Sequence, residues 1–134
     1  IEEKDWPPLL PALEEMLFFF FVKILVKVIN VYLAGKIILK IQDESKATYS
    51  KKIKKEDGLV DLEKDPPQEI YNKYCAFYGW PGIYFIKNSK RIKITEATFV
   101  NGELIIKKVL PEGKKEIKYE EFNQVHQVQG KTLY

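Results

Sequence analysis

The sequence predicts an α+β fold: a long N-terminal helix and a linker, followed by a small antiparallel meander or barrel. Three observations carry this. An apolar stretch runs from Leu9 to Leu39, a polar and lysine-rich segment follows it, and beyond Gly82 apolar residues recur with a period of two. With 134 residues the chain has room for one ordinary domain, or a small domain with an extra helical piece. Its hydrophobic fraction of 46% and charged fraction of 31% belong to a globular protein rather than a disordered one.

The helix is expected over 11–34, entered after Pro7 and Pro8 and stopped at Gly35. Lys23 and Lys27 are four residues apart and share one face, which leaves Phe20, Ile24, Val28 and Val31 to be buried. Leu17, Phe18, Phe19 and Phe21 spread apolar surface around the rest of the cylinder. Such a helix needs partners on more than one side, either a domain upstream of Ile1 or a second copy docking through 16–33. A bilayer span needs about 20 nearly uncharged residues, and two lysines interrupt this one, with Asn30 following. A secretory signal would place positive charge ahead of its apolar run, whereas Glu14 and Glu15 precede this one. No membrane partner is expected.

Residues 36–62 read as a basic linker. Lys36–Lys55 holds seven lysines against Asp43 and Glu44, with an extended piece over 36–41 and a loop or helical turn over 48–56. Asp65 before Pro66 and Pro67, with Glu69 after them, starts a helix through about Tyr78 that places Ile70, Tyr74 and Phe77 on one side. Gly79, Pro81 and Gly82 turn the chain. Strands are expected over 83–86, 91–100 and 103–109, joined at Asn88-Ser89 and at the favoured hairpin pair Asn101-Gly102. A last strand or turn is expected over 116–122, ahead of a weakly patterned tail. The domains are therefore 1–35, 36–62 and 63–134.

Residues 87–118 form a second basic stretch, and the formal net charge is +3. Uneven charge of this kind suits a polyanionic partner, although charge alone reads first as a solvated surface. Lys90, Arg91, Lys93, Lys107, Lys108, Lys114 and Lys115 cluster in the expected hairpins and are the candidate phosphate-binding residues. Arg91 is the one guanidinium in the chain, so bidentate readout is scarce. Tyr78, Trp80, Tyr84 and Phe85 are of a type that stacks on bases, but aromatics beside a turn are more often packing.

Several chemistries find no support. The single cysteine, Cys75, cannot form an internal bridge and agrees with a reducing, cytoplasmic compartment. One Cys and one His, His126, are too few for a protein-only zinc site. Adjacent carboxylates such as Glu2-Glu3 and Glu56-Asp57 diverge, and glycine-rich phosphate loops are absent. No catalytic or metal residue is assigned.

The motifs have a further meaning in combination. Gln42-Asp43, Ala47-Thr48-Tyr49-Ser50 with Lys51 to Asp57 and Asp61, Ala76-Phe77, Trp80-Pro81-Gly82, Lys90 to Ile94 and Pro111 to Lys115 occur in one order. That order resembles the linker and C-terminal domain of the methionyl-tRNA formyltransferases. Cys75 and Gly79 depart from it, standing where Arg and Pro are common. The resemblance implies an OB-like barrel that contacts tRNA, preceded by the last helix of a catalytic domain. The interval from Ile94 to Pro111 is too short for five strands, so the barrel is expected to be incomplete. For the whole enzyme the resemblance implies formyl transfer from 10-formyltetrahydrofolate to methionyl-tRNA, by an Asn, a His and an Asp of an upstream domain. None of these lies here; Leu9-Leu10-Pro11 lacks the neighbours of the related catalytic-domain motif, and the chain by itself is expected to be inactive. Two other readings stay open: a protein-interaction fragment, and the C-terminal domain of a sugar-nucleotide formyltransferase.

Overall fold

The computed structural model of the chain describes residues 6–129, and for 125–129 the backbone path only. It falls into two compact units, Pro11–Lys52 and the chain from Ile53 onward with the residues just ahead of Pro11.

The first unit is dominated by helix α1, Leu10–Leu33, which at 24 residues is about 36 Å long. It ends as expected at Gly35. The Lys36 amide donates to the Val31 carbonyl and the Gly35 amide to the Tyr32 carbonyl, with Gly35 at φ +63°, the paired bonds of a Schellman cap. No residue of α1 is buried. The expected buried stripe is thus not formed: Phe20 is 61% exposed and Ile24 59%. The reason is composition, since the only other element in this unit is a 3-10 turn, Glu44–Lys46, far too small to cover a helix. By length and composition α1 could also cross a membrane.

The second unit is a four-stranded antiparallel sheet in the order β1-β2-β3-β4, backed by two helices. Helix α2, Pro67–Ala76, begins on the proline pair and stops two residues before the expected end at Tyr78, with the Phe77 amide capping on Lys73. Strands β1 (Ile83–Lys87), β2 (Lys90–Val100) and β3 (Glu103–Pro111) match the period-two segments within one or two residues. Both hairpin turns use left-handed backbone, with Asn88 at φ 51°, Ser89 at 59°, Asn101 at 53° and Gly102 at 86°. Such turns match the right-handed twist of the flanking strands. Strand β4 is only Ile117–Lys118, and helix α3 follows at once over Tyr119–Gln129. The strand or turn expected over 116–122 is thus a two-residue strand followed by a helix that takes in the weakly patterned tail as far as Gln129, the rest of which lies outside the described residues. Phe122 lies four residues after Lys118, and a helix at that point turns its ring under the sheet.

The core is the inner face of β1 and β2 closed by the helices. Ile83, Phe85, Ile92, Ile94 and Val109 face Ile70, Tyr74 and Cys75 of α2 and Phe122 of α3. Phe122 meets Phe85 edge-on with ring centres 6.1 Å apart, and Tyr71 stacks on Phe99 at 5.6 Å. Burial pushes the Cys75 thiol above its ordinary pKa, which leaves it inert as a packing residue. The sheet does not close. Edge strand β1 gains one short partner, where Leu59 bridges to Tyr84 and the Val60 amide donates to the Tyr84 carbonyl at 2.9 Å. Gly58 makes this approach possible, because a Cβ there would collide with the carbonyl of Gly82.

The aspartates of the basic segment act as turn-formers. Asp57 accepts the Lys54 amide at 2.7 Å. Asp61 accepts the Glu63 and Lys64 amides and pairs with the Lys64 ammonium at 3.0 Å, and the Asp65 carboxylate accepts the Asp61 amide in return. Those bonds, the Lys64 contact foremost, hold the Asp61 carboxyl below its ordinary pKa. Phe122→Ala should cost about 3–5 kcal/mol, because Phe122 is 2% exposed and joins α3 to the sheet. The change is read as a lowered urea midpoint at unchanged slope.

Candidate nucleic-acid interface

Strand β2 places the candidate cations by simple alternation. With Ile92 and Ile94 in the core, Arg91 and Lys93 face the other way, opposite Ile86 and Tyr84 of β1 in the register Ile86↔Arg91 and Tyr84↔Lys93. The Arg91 guanidinium lies 3.6 Å from the centre of the Tyr84 ring. This cation–π contact fixes the guanidinium plane while leaving its N–H edge for a ligand. Tyr84 is consequently covered, only 9% exposed, and serves as a platform for Arg91 rather than for a base. Phe85 is buried as well. Of the four candidate stacking aromatics, Tyr78 and Trp80 remain exposed, at 41% and 57%.

The structure brings four of the seven candidate cations to one end of the sheet. Lys90 follows the β1–β2 turn and opens β2. The pairing Ile92↔Pro111 continues into the next turn, where the Glu112 amide donates to the Arg91 carbonyl at 3.0 Å and the Arg91 amide to the Glu112 carboxylate at 3.4 Å. The Lys114 amide then closes the turn on Pro111 at 3.0 Å, with Gly113 at φ +72°. Lys114 and Lys115 therefore stand on the turn beside the start of β2. Lys93 sits further along the same face as Arg91, its ammonium 3.5 Å from the Gly79 carbonyl.

Lys107 and Lys108 differ from the others. The register of β2 and β3 shifts between Ile94 and Glu96 and again between Glu96 and Ala97. Around this irregularity Glu96 takes both lysines, Lys108 at 2.9 Å and Lys107 at 3.9 Å, while Lys108 also meets Glu116 at 3.7 Å. The Lys108 contact holds the Glu96 carboxyl below its ordinary range and in turn raises the Lys108 ammonium. These two cations are already compensated in part. Reading by residue type missed Glu96 as a counter-charge, since only the bulge brings it to both lysines. It also missed Lys118, which pairs opposite Lys108 and could have been noticed as a cation on the last strand. His126 falls in α3, and its side chain lies outside the described residues. Among the described residues no group of acids, His and Cys could hold a metal.

A long helix followed by an antiparallel sheet that is open rather than barrelled defines an incomplete OB-like fold. Residues 52–104 match the family described as "Formyl transferase, C-terminal domain", and this part of the chain is similar to that family. The match contains α2, the Trp80-Pro81-Gly82 turn and β2, whereas Lys114 and Lys115 lie beyond it. Methionyl-tRNA formyltransferases of three bacteria illustrate the similarity. That of Campylobacter lari is 56% identical over 59 residues, covering 44% of this chain and 19% of the relative. That of Treponema denticola is 52% identical over 56 residues, 42% of this chain and 17% of the relative. That of a Sulfurovum strain is 55% identical over 49 residues, 37% and 16%. The chain thus spans about a fifth of the length of the curated relatives it matches.

Neutralising Glu96 frees Lys107 and leaves Lys108 with only its longer contact to Glu116. A carboxyl with a depressed pKa contributes its ion pairs above the ordinary carboxylate range and loses them as pH falls. Glu96→Gln should therefore raise affinity for a short RNA at neutral pH and steepen the dependence of log affinity on log salt by about one unit or more. Fluorescence anisotropy over a salt series measures both, and an unchanged slope would mean that Lys107 and Lys108 do not face the RNA.

Proposed function

We propose that the domain from residue 63 onward is the tRNA-binding C-terminal portion of a methionyl-tRNA formyltransferase, the enzyme that formylates initiator methionyl-tRNA for translation, in the cytoplasm. The observation that carries this is the gathering of Lys90, Arg91, Lys114 and Lys115 at one end of an open sheet, in a domain whose relatives are named for that activity. Lysines on strand ends and turns meet phosphates as point charges, so they contribute affinity and little sequence reading. The domain binds and orients; formyl transfer, with its 10-formyltetrahydrofolate donor, belongs to a domain outside this chain. Residues 36–62 act as a basic linker whose lysines are exposed. A sugar-nucleotide substrate fits less well, because its two phosphates would leave about half of these four cations without a partner.

Three to five phosphate contacts imply a slope of log affinity against log salt on the order of −3 to −5. Lys114→Ala with Lys115→Ala should flatten it by about two units and weaken initiator and elongator tRNAs alike. Filter binding across a salt series tests this, and tight binding indifferent to salt would remove the proposal.

A second role belongs to α1, on the observation that Phe18, Phe19, Phe20 and Phe21 are each about 60% exposed. Monomers rarely leave so large an apolar patch uncovered. In this reading 1–35 closes the catalytic domain, and in its absence two copies pair through 16–33. The isolated chain should self-associate with rising concentration, and Phe20→Lys with Ile24→Lys should return it to monomer. Sedimentation velocity distinguishes the two, and a wild-type chain that stays monomeric at high concentration would refute the pairing.

A further inference from the structure

The two edges of β3 are unequally used. One pairs with β2 from Glu103 to Pro111, whereas on the other β4 reaches only Lys108 and Val109. Among the described residues no strand pairs with the outer edge from Glu103 to Lys107. We propose that a second copy of this chain adds its own β3 there, antiparallel and two-fold symmetric about Ile105. The inference rests neither on the RNA-binding reading nor on the pairing of α1.

The backbone fixes which groups are free. In a two-residue hairpin the residues flanking the turn bond to each other, and alternation decides the rest. At the first hairpin Lys87 and Lys90 flank the turn, so the polar groups of Phe85 face β2 and those of Tyr84 face away. The Tyr84 carbonyl accordingly accepts the Val60 amide from outside the hairpin. At the second hairpin Val100 and Glu103 flank Asn101-Gly102. Glu103 and Ile105 therefore bond to β2, while Leu104 and Ile106 direct both N–H and C=O outward. Such an edge is a template for another strand. No proline interrupts it, and Ile105 at its middle is 45% exposed.

Three features select a second copy over any other strand. The first is the extent of the free stretch. The Asn101-Gly102 turn bounds it on one side and β4 on the other, which leaves five residues with Ile105 as their midpoint. A pairing that fills the stretch on both chains must centre there. The second is phase, since directly opposite residues are either both bonded or both non-bonded. This centre sets Leu104 against Ile106 of the second copy, outward groups against outward groups, and the axis repeats the pair. Ile105 then meets its own copy at the close, non-bonded position. Moving one strand by a single residue would oppose outward groups to inward ones.

The third feature is charge. Glu103, Ile105 and Lys107 lie on the outer face, away from Leu104 and Ile106, which lean on the core. The same centre brings Glu103 against Lys107 of the second copy, twice over. Within the chain Glu103 has no ion pair among the described residues, and Lys107 has only its 3.9 Å contact to Glu96. A strand without an acid and a base four residues apart would leave these charges unmatched. Five paired residues per chain bury less than the roughly 1,200 Å² at which standard interfaces begin. The dimer is accordingly transient and populated only at high concentration.

The full chain carrying Phe20→Lys and Ile24→Lys, in which α1 cannot pair, should be studied above the concentrations at which it sediments as a monomer. Adding Ile105→Cys should give an intermolecular disulfide on mild oxidation, because Cα atoms at a non-bonded antiparallel position lie about 4.5 Å apart, within reach of the bond. Cys75 is buried and does not compete. Thr98→Cys, opposite Ile105 but one strand further in, should not cross-link. Glu103→Lys should weaken dimerisation about tenfold by sedimentation equilibrium, since two opposed pairs become repulsive, and Lys107→Glu added to it should restore most of the loss. Both positions are exposed, so urea midpoints should stay near that of the parent chain. No cross-link from Ile105→Cys, or an equal yield from Thr98→Cys, would overturn the pairing. A dimer that ignores Glu103→Lys, or is not rescued by Lys107→Glu, would also overturn it and assign association to another surface. Wild-type association that vanishes altogether with Phe20→Lys and Ile24→Lys, cross-linking included, would leave α1 pairing standing and remove this one.

Discussion

The antiparallel pairing of β2 with β1 on one side and β3 on the other places almost everything that matters in this domain. Because side chains alternate along a strand, burying Ile92 and Ile94 commits Arg91 and Lys93 to the opposite face. A slip of one residue would bury two cations and expose two isoleucines, an exchange costing far more than any domain of this size can lose. The same pairing carries the turn after β3 back to the start of β2, through the two bonds between Arg91 and Glu112. Core packing and charge placement are one constraint here.

The irregularity around Glu96 qualifies that constraint midway along the strand. Buried positions run Ile92, Ile94 and then Ala97 on β2, and Val109 then half-buried Ile106 on β3, so both strands change phase at the same place. Such a shift bends the pair and re-aims its side chains. Its consequence is electrostatic: adjacent lysines that strict alternation would send to opposite faces both reach one carboxylate.

Helix α1 is governed by different physics. Its Schellman cap is local and complete, so its C-terminal end needs no neighbour to define it. Burial, by contrast, needs a second surface, and its own unit supplies only a 3-10 turn. Periodicity can say which face of a helix suits a core, but whether a core is present is decided by other elements.

Local signals were therefore legible and long-range ones were not. The proline pair before α2, Gly35 after α1, and the Asn88-Ser89 and Asn101-Gly102 turns act over a few residues through backbone geometry, and each element they bound stands within about two residues of its expected limits. Alternation in Arg91 to Ile94 likewise revealed which residues share a face. The start of α3 was missed because Phe122 takes its place from packing against Phe85, a partner 37 positions earlier. Burial of Tyr84 under Arg91 and the capture of Lys107 and Lys108 by Glu96 are likewise contacts between distant positions. By itself the sequence determined α1, α2, the first three strands, their turns and the excess of positive charge, because these follow from backbone preferences and composition. Only the tertiary structure decided which cations are compensated and which aromatics are covered, because burial and charge pairing depend on which strands become neighbours.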